Sequence, residues 1–363
     1  MQEIEYSATM IIPLAISLLV VLCLVPIARK LALQYGFVDI PDNSRKQHDA
    51  PIPPVGGLVI VPVFFAVTFF FSSPLIMEHW PFWIGLFLVW GTSAIDDKVH
   101  VNSGIRFGVQ LISACLLVIG NETIVRFLGD LFGLGNIWMG PFAFPFSILC
   151  VCLVINAMNM IDGLDGLCGG VAFIMLIGLF TAANIMGQHE LLLPMSVIIG
   201  CLFGFLVYNY RHPFRKKASI FMGDSGSAAL GLILSWFVIE LTQWPDQVTP
   251  GHIDPIVIAW VLALPVFDAL SLFAYRLKNK RHPFTPDRRH LHYLLKDNGF
   301  SVSQTVGIIL GGVCVYSAIG IMGNLYGVPH VILMCIWILC FFIHGLVIFG
   351  VISSPRISAS NKV

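Results

Sequence analysis

Apolar runs recur along the whole chain, separated by short polar stretches. A helix needs about 20 mostly apolar residues to cross a bilayer, and the pattern predicts about eleven spans. They lie near 9–28, 55–76, 80–95, 105–120, 141–158, 166–187, 191–209, 226–241, 254–275, 304–322 and 328–352. Glu3 and Glu5 precede the first run and Arg29 and Lys30 follow it. That order reverses the charge layout of a cleaved signal peptide, so the first run is expected to remain as a span.

With this number of spans, alternate loops face opposite sides, and the bias of Lys and Arg toward the cytoplasm can orient them. All but one of the 20 lysines and arginines fall in loops 1/2, 3/4, 7/8, 9/10, the start of span 4 and the C-terminal tail; Arg126 alone falls on the other side. The expected architecture is an all-α polytopic membrane protein with a periplasmic N-terminus and a cytoplasmic C-terminus.

Composition agrees. Of 363 residues, 57 % are hydrophobic and 11 % charged, with a mean hydropathy of +0.86, whereas soluble domains carry about 25 % charged residues. A soluble enzyme, a nucleic-acid binder and a disordered chain are excluded. No linker or charge block divides the sequence, so residues 1–363 are read as one integral-membrane domain. The 9 cysteines sit mostly inside apolar runs without zinc-like spacing, as small buried hydrophobes do.

Five polar clusters interrupt the apolar background: Arg45-Lys46-x-His48 with Pro54-Val55-Gly56-Gly57; Asp96-Asp97; Asn156-x-x-Asn159-x-x-Asp162-Gly163-x-Asp165-Gly166; Phe221-Met222-Gly223-Asp224-Ser225-Gly226-Ser227; and Asp287-Arg288-Arg289-His290-x-His292. All five fall on the side that collects the cations, in loops at about 29–54, 96–104, 159–166, 210–226 and 276–302. Such a convergence of carboxylates, amides, histidines and cations suits a polar cytoplasmic substrate.

Each cluster has its own chemistry. Adjacent helical residues point about 100° apart, so Asp96 and Asp97 are expected to divide their work: one meets a metal or phosphate while the other orients a Lys or Arg. Asn156, Asn159, Asp162 and Asp165 recur every three residues, which puts neighbouring pairs on one helix face, and Gly163 and Gly166 invite an opening after Asp162. Small residues around Asp224 let the backbone approach a ligand, free N–H groups at a helix start favour anions, and Asp224 offers an oxygen ligand for Mg²⁺. His290 and His292 diverge on a helix and align in an extended segment; Pro283 and Pro286 favour a loop there. Asp268, inside the ninth span, is a functional candidate because an ionisable group in a span is costly.

In order and content, these motifs resemble those of the polyprenyl-phosphate N-acetylhexosamine-1-phosphate transferases, the glycosyltransferase 4 family, from about residue 29 to 300. The resemblance implies that Asp96 and Asp97 are the paired catalytic aspartates, with His290 as a third catalytic group, and that Asn159 and Asp224 form a Mg²⁺ site, Mn²⁺ being an acceptable substitute. It assigns substrate binding to Lys46, His48, Asn156, Asp162, Asp165, Arg288, Arg289 and His292. Relatives often carry a further histidine where this chain has Tyr293, which shifts emphasis to His290. Three consecutive histidines mark the peptidoglycan-precursor branch, so His290-Leu291-His292-Tyr293 argues against that branch.

The implied reaction moves N-acetylglucosamine-1-phosphate from UDP-GlcNAc to undecaprenyl phosphate in the bacterial inner membrane, as the first membrane step of O-antigen or enterobacterial common antigen-type glycan synthesis. Membrane lipids are partners, nucleic acid is not, and a homodimer is allowed. The same chemistry with another UDP-hexosamine, or in teichoic-acid linkage, stays open. A secondary transporter would place its carboxylates near the midplane within repeats, and neither feature is apparent in the sequence.

Overall fold

The computed structural model describes residues 2–39, 51–185, 187–243, 253–281 and 289–352. Among them all extended regular structure is helical, with only isolated bridges such as Asp39 to Ile52 and Phe127 to Trp138 in the connecting segments. The helices in order are α1 (Gln2–Gln34), α2 (Gly56–Phe71), α3 (Ser73–Glu78), α4 (Trp80–Asp96), α5 (Ser103–Cys115, continued by a π turn over Leu116–Gly120), α6 (Ala143–Ile161) and α7 (Leu167–Ile185). Then follow α8 (Leu192–Asn209), α9 (Gly223–Thr242), α10 (Pro255–Val261), α11 (Ala263–Lys278), α12 (Leu291–Asp297), α13 (Val302–Leu325) and α14 (His330–Ile352).

Each predicted apolar run is helical, the second and ninth each being divided between two helices. Eight are long and apolar enough to cross a membrane, nine if α10 and α11 count as one broken span. The two remaining runs are α2 and α4, with 16 and 17 residues. The protein is thus an all-helical polytopic membrane protein.

Local sequence explains several helix ends. Asn102 caps α5 by accepting the Gly104 N–H at 2.8 Å. Asp254 caps α10 ahead of Pro255, whose missing N–H costs nothing in a first turn. Ser301 and Gln304 form a reciprocal capping box at α13.

Helix α9 is the hub. It packs against α2, α4, α6 and α7, and 89 % of its most apolar stretch is buried, against 17 % for α14 and 22 % for α1. The reason lies in its composition: Gly226, Ser227, Ala228, Ala229 and Gly231 are small, and in lipid, close backbone approach rather than apolar transfer holds helices together. A Cβ on Gly57 of α2 would overlap the backbone of Gly226, so those helices cross in direct contact. Around this centre α1 lies along α8, α13 against α7 and α10, and α14 against α11, leaving apolar outer faces for lipid.

The ninth run departs from the straight span expected over 254–275. It breaks at Leu262, and α10 and α11 meet at a 78° bend. Pro265 lacks the N–H that would bond the Val261 carbonyl, which is enough to end a helix. The Trp337 indole donates to the Ala259 carbonyl at 3.0 Å, satisfying a second group beside the break.

Candidate active site

The site is assembled where α2, α4, α5, α6 and α9 end or begin together. Gly56 and Gly57 donate their N–H groups to the carbonyls of Phe221 and Met222, both at 2.9 Å, and Phe221 donates back to Pro53 at 2.9 Å. These bonds clamp the Pro54–Gly57 motif to the strand-like approach of α9. Gly223 then turns the chain with φ +77°, and a Cβ there would press on Asp97 at 2.7 Å, so glycine is required twice over.

Asp97 ends α4 and caps α9. Its carboxylate accepts the Asp224 N–H at 2.7 Å, the Ser225 N–H at 3.2 Å and the Ser225 hydroxyl at 2.8 Å. Asp96 does different work: it accepts the Val101 N–H at 2.7 Å and pairs with the Arg106 guanidinium. Arg106 also lies 3.2 Å from the Asp224 carboxylate, and thus bridges two motifs 128 positions apart. The two adjacent acids therefore point to different partners, as their angular separation on a helix requires.

Asn159 donates to the Ser227 hydroxyl at 3.1 Å, and both Asn159 and Asp96 are within hydrogen-bonding reach of the Asp224 side chain. Asp162 follows at the C-terminus of α6. Burial first, and then the charges of Asp224, Asp97, Asp165 and Asp39, hold its carboxyl well above the usual range. Burial and the Asp224 charge likewise push Asp97 up to about 7, against the lowering effect of its three hydrogen bonds. The site is an acidic chamber whose carboxylates repel one another, with Arg106 at its edge.

A hard divalent cation fits this donor set. Asp224 supplies the carboxylate, the Asn159 amide lies within hydrogen-bonding reach of it while donating to the Ser227 hydroxyl, and the mutual repulsion of the carboxylates is what such a cation relieves. Among the described residues no three His, Cys, Asp or Glu side chains form a closed cage. Mg²⁺ characteristically uses one or two carboxylates, with waters and substrate phosphates completing its shell.

Other expected residues are held by structural partners. Asn156 spends both amide hydrogens on Gln110 at 2.9 Å and the Cys152 carbonyl at 2.7 Å, joining α6 to α5. Asp165 accepts from Arg211 Nε at 2.7 Å and the Ala218 N–H at 3.0 Å, so it anchors the basic segment before α9. Arg289 lies over the Tyr275 ring, 4.8 Å from its centre.

The histidines sit at a helix start rather than in a loop. His290 precedes the first residue of α12 and His292 lies in its first turn. Their rings nonetheless stack, 5.6 Å apart and 12° from parallel, because His290 is extended and only His292 is helical. His292 is buried against Gly163, where a Cβ would strike its ring, so α12 reaches the acidic chamber beside Asp162. Lys46, His48 and Arg288 lie outside the described residues.

Sequence reasoning placed Arg106, Ser225, Ser227 and Arg211 at this end of the molecule but gave none of them a role in the site. Arg106 carried a signal: it is a cation in the first turn of an apolar run, where a charge without a partner would be costly.

The profile of Glycosyl transferase family 4 matches residues 79–242, the stretch that carries α4 through α9 and most of the acidic chamber. The chain is 31 % identical over 328 residues to the undecaprenyl-phosphate alpha-N-acetylglucosaminyl 1-phosphate transferase of Yersinia pestis, covering 88 % of this chain and 86 % of that one. It is 29 % identical over 324 residues to the Escherichia coli K12 protein of the same name, covering 88 % and 85 %. It is 34 % identical over 357 residues to the probable undecaprenyl-phosphate N-acetylglucosaminyl 1-phosphate transferase of Bacillus subtilis 168, covering 95 % and 91 %.

Proposed function

The chain belongs to glycosyl transferase family 4, and from that premise we propose that it transfers N-acetylglucosamine-1-phosphate from UDP-GlcNAc to undecaprenyl phosphate, giving N-acetylglucosaminyl-diphospho-undecaprenol and UMP. The names of its relatives support the substrates. The observation that carries the reading is the meeting of Asp96, Asp97, Asn159, Asp162 and Asp224 with Arg106 at one end of the bundle. The excess of Lys and Arg at that end supports a cytoplasmic site in a bacterial inner membrane.

In this reading an oxygen of the lipid phosphate attacks the β-phosphorus of UDP-GlcNAc in line. The bond from that phosphorus to the bridging oxygen breaks, and UMP leaves with the electron pair. A phosphate monoester has a second pKa of about 6, so the nucleophile is already mostly dianionic at neutral pH and needs little base catalysis. Mg²⁺ on Asp224 and Asn159 would neutralise phosphate oxygens as charge redistributes. Asp97, with both oxygens committed to the start of α9, holds the Asp224 backbone in place. Asp96 holds Arg106, and Arg106 supplies fixed positive charge. The histidines of α12 close the chamber beside Asp162.

Two experiments test the reaction class. UMP should appear only when UDP-GlcNAc and undecaprenyl phosphate are both present; release of UDP would mean sugar rather than sugar-phosphate transfer, and would contradict the proposal. Direct attack further requires inversion at a chiral β-phosphorus. Retention would demand a covalent aspartyl intermediate instead.

A further inference from the structure

Asp268 lies outside the segment that the family profile matches, and nothing in the reaction described above uses it. It occupies the second turn of α11, just past the 78° break, and is 4 % exposed. A carboxylate so placed must be paired or well hydrogen-bonded, and three groups from two other elements meet it. His290 Nδ1 is 2.9 Å from Oδ2. The Leu291 N–H donates to Oδ1 at 3.0 Å. His344 of α14 brings Nε2 to 3.8 Å from Oδ1.

This arrangement fixes more than charge. A carboxylate on Nδ1 makes that nitrogen the donor and leaves Nε2 as the ring atom that can meet a ligand. The Leu291 bond holds the backbone next to the same ring, so Asp268 fixes both the position and the rotation of His290. The ring is stacked on His292, which lies against Gly163 at the rim of the acidic chamber. A carboxylate in α11 is thereby connected, through the stacked imidazoles of His290 and His292, to the place where an anionic diphosphate would lie.

We propose that Asp268, backed by His344, is a positioning residue that holds His290 with Nδ1–H toward the carboxylate and Nε2 toward the diphosphate of the sugar nucleotide. The proposal rests on the transferase reading for the identity of that ligand. The bend at Leu262 is part of the device, because it carries α11 across to α12 and α14.

The test uses the full chain in lipid nanodiscs. Asp268→Asn should lower kcat roughly tenfold to a hundredfold, the usual scale for losing the partner that orients a functional histidine, with KM for undecaprenyl phosphate little changed. In a His290→Ala background the same substitution should cost nothing further. Equal fold-losses in both backgrounds would overturn the proposal, since a merely structural carboxylate acts whether or not His290 is present. Ring-nitrogen NMR of ¹⁵N-histidine-labelled protein provides a readout that needs no turnover. A downfield Nδ1–H resonance that His290→Ala removes should also vanish in Asp268→Asn, and its survival there would overturn the proposal. Should Asp268→Asn fail to fold, His344→Gln probes the same group from α14: it should shift the His290 resonance, and an unmoved resonance counts against the assignment. A wild-type protein with this resonance but without transfer would refute the proposed reaction and leave the Asp268–His290 pairing standing.

Discussion

Asp97 accepts the backbone N–H of Asp224 at 2.7 Å across 127 positions of sequence, so the last residue of one motif is the helix cap of another. The bond sets the start of α9 against the end of α4 and brings two carboxylates together. Repulsion between them is offset by the hydrogen bonds at Asp97, by Arg106 beside Asp224, and by any cation the chamber binds.

Replacing Asp97 by Ala removes that cap. The variant should lose about 1–2 kcal/mol of stability, the usual range for an N-cap, and show a lowered melting temperature in detergent. Asp97→Asn keeps an acceptor for the α9 amides and should melt closer to the parent. A parent-like melting temperature for Asp97→Ala would show that α9 does not depend on this cap.

The raised pKa of Asp97 gives a pH signature. Its folded value of about 7 lies above the ordinary 3.8, so the folded protein binds this proton more tightly than the unfolded chain. The resulting stabilisation is full below pH 3.8 and is lost as pH rises through 7. A cation entering the chamber competes with the same proton. Mg²⁺ binding, followed by calorimetry in buffers of different ionisation enthalpy, should therefore release protons near pH 7 and tighten by up to about tenfold per pH unit below it. Asp97→Asn should lose most of the proton release, and an undiminished release would assign it elsewhere.

Arg106 spans Asp96 and Asp224 with one guanidinium. Arg106→Ala should lower kcat by on the order of a hundredfold, the scale of losing one preorganised charge donor. Both contacts are made by Nη1, and a lysine reaches less far and lacks the fixed guanidinium plane, so Arg106→Lys should recover only part of this loss. Full activity in the Lys variant would mean that charge alone matters.

The crossing of α2 and α9 leaves no room at Gly57. Gly57→Ala should cost about 1–3 kcal/mol or more as an overpacked core does, visible as reduced yield and melting temperature. Gly91→Ala, in α4 with open space around it, should stay within about 0.5 kcal/mol of the parent.

The helices were legible in the sequence, because hydropathy is written along one dimension. The five polar clusters were legible for the same reason: each interrupts an apolar background. What escaped were pairings between distant elements. Nothing local marks Asp97 as the cap of α9, Asn156 as a partner of Gln110, or Asp165 as the anchor of Arg211 and Ala218. The period of three in Asn156, Asn159, Asp162 and Asp165 pairs neighbours on one helix face, with an opening expected after Asp162, but it does not name the partners at either end. A run of threes drifts around a helix, and the structure sends its two ends to neighbouring elements. The break at Leu262 escaped as well, since Pro265 can sit in a first turn as easily as it can end a helix.

The central claim is that this acidic chamber transfers a sugar phosphate to a lipid phosphate. The measurement that meets it most directly is transfer of label from radiolabelled UDP-GlcNAc to purified undecaprenyl phosphate, with Mg²⁺, by the purified protein and by Asp224→Asn. The parent should produce butanol-extractable label that EDTA abolishes, and Asp224→Asn should produce almost none. No extractable label from the parent, or undiminished label from Asp224→Asn, would contradict the account.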